Sequence, residues 1–308
     1  MKKVLVLYYT QTGQQKEIAD HVLQPLEEDK EVEITWCRIH PKKKFPFPWN
    51  RIEFFDVFPE TFLQIPMELE PIEDSILEKE YDLIVLSYQI WFLSISLPVI
   101  SCIKNPQVQK LLKNKPVLTV IGCRNMWAVA QEKMKKQLKD LQATLVGNIV
   151  FTDRQTNHVS LITLLYWLFQ GKKESYLGIF PKPGVPDKDI QEAGKFGIPI
   201  LEALKQNKYT HLQAELIKRK AVIVKPLLVF IEKRGTFIFS KWSKFIRKKG
   251  NPGEKSRHIW LQAFYYYLMI ALWVVAPVVT LIFLLIYLPT CFLFNKSISY
   301  YQSITLKE

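Results

Sequence analysis

The chain is poor in the residues that announce metal or disulfide chemistry. Its four cysteines, Cys37, Cys102, Cys123 and Cys291, share no CxxC spacing, so neither an iron–sulfur nor a zinc pattern is present and no metal site is predicted. Scattered thiols of this kind fit a reducing compartment. Lys2-Lys3 run straight into an apolar segment without a small-residue cleavage site, so no secretory leader is expected. Two further absences carry more. There is no Lys or Arg between Lys3 and Lys16, and there is no charged residue at all from Ile259 to Asn295.

The charge that is present is unevenly placed. The formal net charge is +13, yet residues 216–258 hold 13 Lys/Arg against Glu232 and Glu254, while the first 215 residues are close to neutral. Nucleic acid is the usual partner of such a block. Here the cations alternate with Phe230, Phe237, Phe239, Trp242 and Phe245, which suits an interfacial amphipathic segment over acidic lipid headgroups. No nucleic-acid partner is therefore expected. The uncharged run that follows is longer than the roughly 20 residues a bilayer crossing needs. As one helix it would measure about 55 Å, and Pro277 and Pro289 stand inside it. The expectation is a C-terminal transmembrane helix at 259–294, with a re-entrant hairpin bent at Ala276-Pro277 as the alternative. Residues 206–258 would form a juxtamembrane segment and 295–308 a short tail. The basic block would hold the N-terminal part at the cytoplasmic face of the cell membrane.

In residues 1–205, strand and helix patterns alternate. Continuous apolar runs at Val4–Tyr8, Tyr81–Ser87, Pro116–Gly122 and Leu145–Phe151, with a period-two segment at Val32–Cys37, predict five strands. Gln14–Leu26, Trp127–Ala143 and Asp187–Leu204 (Asp187 as N-cap) read as helices. Buried strands separated by helices predict an α/β fold: a five-stranded parallel sheet with helices on both faces. In such sheets the ligand sits at the carboxyl ends of the strands. Three strand ends are polar or aromatic there: Thr10-Gln11-Thr12-Gly13-Gln14-Gln15 after the first, Ser87-Tyr88-Gln89-Ile90-Trp91-Phe92 after the third and Gly122-Cys123-Arg124-Asn125-Met126-Trp127 after the fourth. The first is a hydroxyl and amide loop at a helix N-terminus, where backbone donors and the helix dipole favour an anion.

These three loops together resemble the flavodoxin-like superfamily, over roughly residues 1–205. Thr10, Thr12 and Gly13 match the family's Thr/Ser-x-Thr-Gly-x-Thr phosphate loop, while Gln15 stands where a third hydroxyl is usual. The resemblance implies FMN as cofactor, its phosphate held without cations by Thr10, Gln11, Thr12, Gly13, Gln14 and Gln15, the Gln15 amide donating in place of the hydroxyl. It implies Tyr88, Trp91 and Phe92 beside the flavin ring, Gly122 and Asn125 at the ring's polar edge, and Trp127 as either a second wall or core packing. Arg124 is a candidate for stabilising negative charge, and His158 for acid–base work. Residues 38–75, which short flavodoxins lack, carry Phe45-Pro46-Phe47-Pro48-Trp49 and then Phe54, Phe55, Phe58 and Phe62. They read either as a packed lid or dimer contact, or as an apolar wall for a lipophilic substrate.

The layout, with Pro48–Phe55, Gly122–Trp127 and Phe180–Val185, is also similar to the flavodoxin-like enzymes of dialkylresorcinol and flexirubin-type pigment biosynthesis. That resemblance implies aromatisation of a dialkyl-cyclohexanedione supplied by a ketosynthase partner. Two other classes stay open: a generic flavin reductase or electron carrier using NAD(P)H, with a quinone as acceptor, and a non-catalytic membrane scaffold with a degenerate flavodoxin fold.

Overall fold

Val4, Leu5, Val6 and Leu7 are all buried, as a strand covered on both faces requires. The computed structural model describes residues 1–290 and 294–307; Cys291, residues 291–293 of the expected membrane segment and Glu308 of the expected tail lie outside the described residues. The strands are β1 (Lys2–Tyr8), β2 (Val32–Arg38), β3 (Leu83–Trp91), β4 (Ser94–Ile95), β5 (Pro116–Cys123) and β6 (Thr144–Thr152). Five of them pair in parallel in the order β2-β1-β3-β5-β6, and β4 pairs antiparallel with the end of β3. This is the flavodoxin-like doubly wound order, with its switch point between β1 and β3. The sheet thus has one strand more than expected, because β3 runs on to Trp91 and doubles back through Phe92 and Leu93, both in the left-handed region (φ 48° and 57°).

In chain order the helices are α1 (Gln14–Glu27), α2 (Arg51–Asp56), α3 (Phe58–Leu63), α4 (Asp74–Leu77), α5 (Leu97–Ile103), α6 (Pro106–Leu112), α7 (Ala128–Asp140) and α8 (Asn157–Gln170). Then come α9 (Asp187–Gln191), α10 (Gly194–Gln206), α11 (Leu212–Lys218), α12 (Pro226–Arg247), α13 (His258–Ile270), α14 (Ala276–Thr290) and α15 (Asn295–Gln302). Ser87 meets Gln15 of α1, whereas the next residue, Tyr88, meets Gln131 of α7. Successive strand residues point to opposite faces, so these helices cover opposite sides of the sheet. Beside α1 lies α10, where a side chain on Gly197 would overlap the Val22 carbonyl and Pro25. The single closing helix expected at 187–204 is two, interrupted at Glu192–Ala193 just before Gly194, Gly197 and Pro199, residues that each weaken a helical ladder; Asp187 is its first residue and Pro186 takes the cap position.

The insertion at 38–75 folds back on itself through His40–Glu70 and Lys42–Glu68 backbone bonds, and Asn50 caps α2 by accepting from the Glu53 N–H at 2.9 Å. Its aromatic face is the seat of the C-terminal helices. Phe58 stacks on Phe264 of α13 (4.1 Å, 6°) and meets Phe239 of α12 edge-on at 5.2 Å. Arg257, fully buried, bonds Asp56 Oδ1 at 2.6 Å and Glu60 Oε1 at 2.9 Å. From there one helix runs from Lys255 to Leu285, long and apolar enough to cross a membrane, with a π turn at Ala271–Val275. It passes alongside α12, where Phe283 meets Phe230 at 5.0 Å. The tail does not leave: Tyr301 of α15 is buried, Gln213 Nε2 donates to the Gln302 carbonyl (2.7 Å) and Gln302 Nε2 to the Val222 carbonyl (3.2 Å).

Candidate functional site

At the β1–β3 switch point, β1 ends in a loop that turns into α1 at Gly13, whose φ of +89° is strained for any other residue. The first N–H groups of α1 have no acceptor within the helix and face out of the loop. The hydroxyls of Thr10 and Thr12 are buried without a hydrogen-bond partner. The neighbouring cation is turned away, since Lys16 pairs with Asp20 and lies 3.9 Å over the Trp36 ring. Orphaned hydroxyls, free backbone donors and no local cation suit an anion bound through neutral donors.

The three glutamines of this loop do different work. Gln11 accepts from the Tyr9 hydroxyl and donates to the Pro46 carbonyl (3.0 Å), tying the loop to the insertion. Gln14 clamps Val185, donating to its carbonyl and accepting from its N–H, both at 3.1 Å. Gly184 makes room for this clamp: its φ is +88°, and a Cβ would lie 2.6 Å from Gln14 Oε1 and 2.8 Å from Trp167. Gln15 departs from expectation. Its amide hydrogens go to Ser87 Oγ (2.8 Å) and the Val120 carbonyl (3.0 Å), so the side chain is locked between α1 and the sheet. Only its backbone N–H is left for an anion. Gly122 lies directly against it, and a Cβ there would overlap Gln15 Oε1.

The second loop carries the aromatic wall. Trp91 is met edge-on by Tyr9 (5.8 Å), Phe45 (5.4 Å) and Trp49 (6.0 Å). Burial pushes the Tyr9 phenol well up, so it stays neutral. Phe92 packs on Phe54, Phe55 and Phe58. Holding two apolar residues in left-handed turn positions costs energy that the surrounding aromatic packing offsets. In the third loop, Arg124 Nη1 donates to the carbonyl and Oδ1 of Asn157, each at 2.9 Å, and Asn125 Nδ2 donates to the same Oδ1 at 3.0 Å. Desolvation pulls the Arg124 guanidinium down to about 10, with Asp153 opposing, so it remains a cation at neutral pH. Asn125 Oδ1 and Gln89 Oε1 are buried acceptors without partners.

These loops open on a cavity of about 390 Å³. One end is polar, lined by Thr12, Gln89, Gly122, Arg124, Asn125 and Asp153. The other is apolar and is roofed by Ile231, Ile238 and Phe239 of α12 with Leu268, Leu272 and Val275 of the long helix. Gln11, Gln14, Gln15, Trp91 and Phe92 also line it; Thr10 and Gly13 form the loop beside it. Tyr88, Trp127 and His158 lie elsewhere. Tyr88 is fully buried and donates to Gln131 Oε1 (2.6 Å), because strand alternation turns it toward α7. Trp127 is buried and lines a small separate cavity with Glu232. His158 Nε2 lies 3.0 Å from the Leu272 carbonyl and its ring meets Trp273 at 5.1 Å, fastening α8 to the π turn.

Sequence reasoning names Gln89 in the second loop, Asn157 at the start of a cleft-lining segment 157–170 and Glu232 in the basic block, but gives none of the three a role of its own. Asn157 positions two residues of the third loop, and its only signal is a polar residue opening a helix. Glu232 accepts from the N–H groups of Ala128 (3.2 Å) and Val129 (2.8 Å) at the start of α7, so the basic helix reaches the third loop directly. Burial raises its carboxyl to about 7, against those two N–H bonds and Lys133.

No protein-family model and no curated protein matches the chain. Solved structures do. Oxidised flavodoxin 1 from Bacillus cereus is 16% identical, with 64% of this chain and 95% of that chain covered and a TM-score of 0.32. A flavodoxin from the domain Archaea is 15% identical (67% and 99% covered, TM-score 0.34). RosB, solved with its bound intermediate 8-demethyl-8-formylriboflavin-5'-phosphate, is 14% identical (73% and 90% covered, TM-score 0.36). At these identities and scores the fold assignment rests on the strand order itself.

Proposed function

We propose that the chain binds FMN at the β1–β3 switch point and is a membrane-associated oxidoreductase for a lipophilic substrate at the cytoplasmic face. The observation that carries this reading is one cavity lined both by hydroxyl, amide and Arg124 groups of the strand ends and by apolar residues of α12 and the long helix. Thr10, Thr12 and the backbone donors of Gly13–Gln15 would hold the phosphate, and the unpartnered acceptors Gln89 Oε1 and Asn125 Oδ1 would meet ring N–H groups. Trp91, braced by Trp49 and Phe45, would exclude water from the ring. When bound, the flavin supplies hydride transfer. Arg124, fixed by Asn157, places a positive charge where an enolate-like or carbonyl oxygen of the substrate would gain negative charge. Among the described lining residues only Asp153 is a carboxylate, and it already accepts from Ser160 Oγ (2.8 Å) and the Gln155 N–H (2.9 Å).

A dialkyl-cyclohexanedione, polar in its ring and apolar in its two chains, matches this division of the cavity, and its aromatisation is the specific reaction proposed. The test is anaerobic. The full chain is purified in detergent, loaded with FMN and mixed with an alkyl cyclohexanedione, and then separately with NADH or NADPH. Bleaching of the flavin by the dione alone, with resorcinol formed, supports the reading. Bleaching only by the nicotinamide replaces it with a reductase, and failure to bind FMN removes both.

A further inference from the structure

We propose that the long apolar helix does not cross the bilayer but lies in its surface plane, seated on anionic lipid, and that the cavity opens sideways into the acyl layer between α12 and the π turn. The proposal deepens the membrane-associated reading above by naming how the membrane is met and by which route a chain-bearing ligand reaches the strand ends.

Three observations converge. The first is that both ends of the helix are held by the same α/β body. Its start is fixed by Arg257 on Asp56 and Glu60, and the chain beyond it returns as α15, whose Tyr301 and Gln302 pack on α11, α12 and the β6 side. A bilayer crossing would carry α15 to the far side of roughly 30 Å of hydrocarbon and break every one of those contacts. Leu261, Phe264 and Phe283 along one flank are buried against the protein, whereas Ile270, Val274, Val278, Leu281 and Leu285 on the other are more than half exposed. One buried and one bare apolar flank is the pattern of a helix lying on a surface.

The second is charge. Lys233, Arg234, Lys241, Lys244, Lys248 and Lys249 are exposed along α12, the last four toward the Trp260–Tyr267 end of the long helix, together with the exposed Phe237 and Phe245. Lys241 Nζ lies 4.3 Å over the Phe237 ring, and Lys249 Nζ lies 5.1 Å over Phe245 and 5.2 Å over Trp260. Ammonium groups lifted over aromatic rings at the rim of an apolar face fit the headgroup layer. The two carboxylates of this block do not oppose them. Glu232 is buried under α7, and Glu254 is held by Asn251. An anionic bilayer is the complementary occupant.

The third is the route. Val275 is half exposed on the bare flank and also lines the cavity, as does the exposed Arg234 on α12. Gly235, Ala271 and Ala276, small residues of the two helices, line the same cavity. The π turn falls at this point, held by His158 on the Leu272 carbonyl. An alkyl chain dissolved in the bilayer would enter there and meet Leu268 and Phe239 before the polar cleft.

Two measurements on the full chain test this, and neither depends on bound flavin. Single cysteines at Lys113, on the α/β body, and at Thr305, in the tail, are placed in a background with Cys37 and Cys102 changed to Ala and Cys123 and Cys291 to Ser, and the protein is bound to sealed phosphatidylglycerol vesicles. A membrane-impermeant maleimide should label both from outside without loss at Thr305; protection of Thr305→Cys until detergent is added would establish a crossing and overturn the in-plane helix. The wild-type chain is then irradiated on vesicles carrying a diazirine-bearing palmitic acid. Adducts are expected both on the outer flank (Val274, Leu281) and inside at Ile238 and Leu272. Adducts confined to the outer flank would overturn the lateral opening, and none at all would overturn the membrane seat. Flavin failing to bind while these labels appear as expected would remove the redox reading and leave the anchor standing.

Discussion

The strand-end cleft and the C-terminal roof are built on opposite principles, although they share one cavity. The cleft comes from residues close in sequence, placed by strand ends, and leaves polar atoms deliberately without partners, among them Thr10 Oγ1, Thr12 Oγ1, Gln89 Oε1 and Asn125 Oδ1. The roof comes from residues about 200 apart, Asp56 and Glu60 with Arg257, and there the buried charges are paired, although Thr61 Oγ1 beside them has no partner. Unpartnered polar atoms gathered around one cavity point to a ligand there, whereas paired buried charges between distant segments hold structure.

The contrast can be broken most severely at Arg257. Arg257→Ala leaves two largely buried carboxylates with only Arg247 at 3.4 Å from Glu60 and the Gly253 N–H at 2.8 Å from Asp56, and about 3–5 kcal/mol of docking energy should be lost. The expected result is proteolytic release of α12–α15, read by limited trypsin digestion, while the sheet persists. Equal loss of sheet and helices would show that the two regions are one cooperative unit. Gly184→Ala should cost about 1–3 kcal/mol, because the Cβ meets Gln14 and Trp167 at a strained φ; chemical denaturation measures it. Thr12→Ala should weaken FMN binding by about 1–2 kcal/mol and leave thermal stability almost unchanged. An unchanged affinity would remove Thr12 from the phosphate loop.

A further prediction joins the two regions. Glu232 has a folded-state pKa raised from 4.5 to about 7, so the folded chain keeps a proton that the unfolded chain releases across that window. Its contribution is therefore greatest below the unfolded pKa and declines as pH rises through about 7. The Tm of the wild type should fall from pH 5 to pH 8 more than that of Glu232→Gln, since the variant lacks this titration. Parallel Tm–pH curves would show that the carboxyl is not desolvated.

The sheet was legible in sequence because four short apolar runs of strand length and one period-two segment, each set between helical patterns, read as strands, and all five pair in parallel. The turn at Phe92-Leu93 was not, because it lacks the Gly or Asn that normally marks left-handed residues and is held by Phe54, Phe55 and Phe58 instead. The Thr10–Gln15 pattern also located the hydroxyl and amide loop after β1, yet it could not say where a side chain points. Gln15 looks like a donor in the sequence and is a tie between α1 and the sheet in space. Arg257 reads as one more cation among 13 in its block, and only tertiary contact separates it from the lysines on the surface. The uncharged run was recognised as apolar, but its orientation depends on α15 returning to the α/β body, which no local pattern encodes.

The central claim is that the open polar atoms at the strand ends await a flavin phosphate and ring. It is tested most directly by titrating FMN into the purified full chain and following flavin fluorescence, with Thr12→Ala and the exposed-site variant Lys113→Ala in parallel. Saturable quenching at one FMN per chain, weakened by Thr12→Ala and unaffected by Lys113→Ala, is the predicted result; no saturable binding by the folded wild-type chain would contradict it.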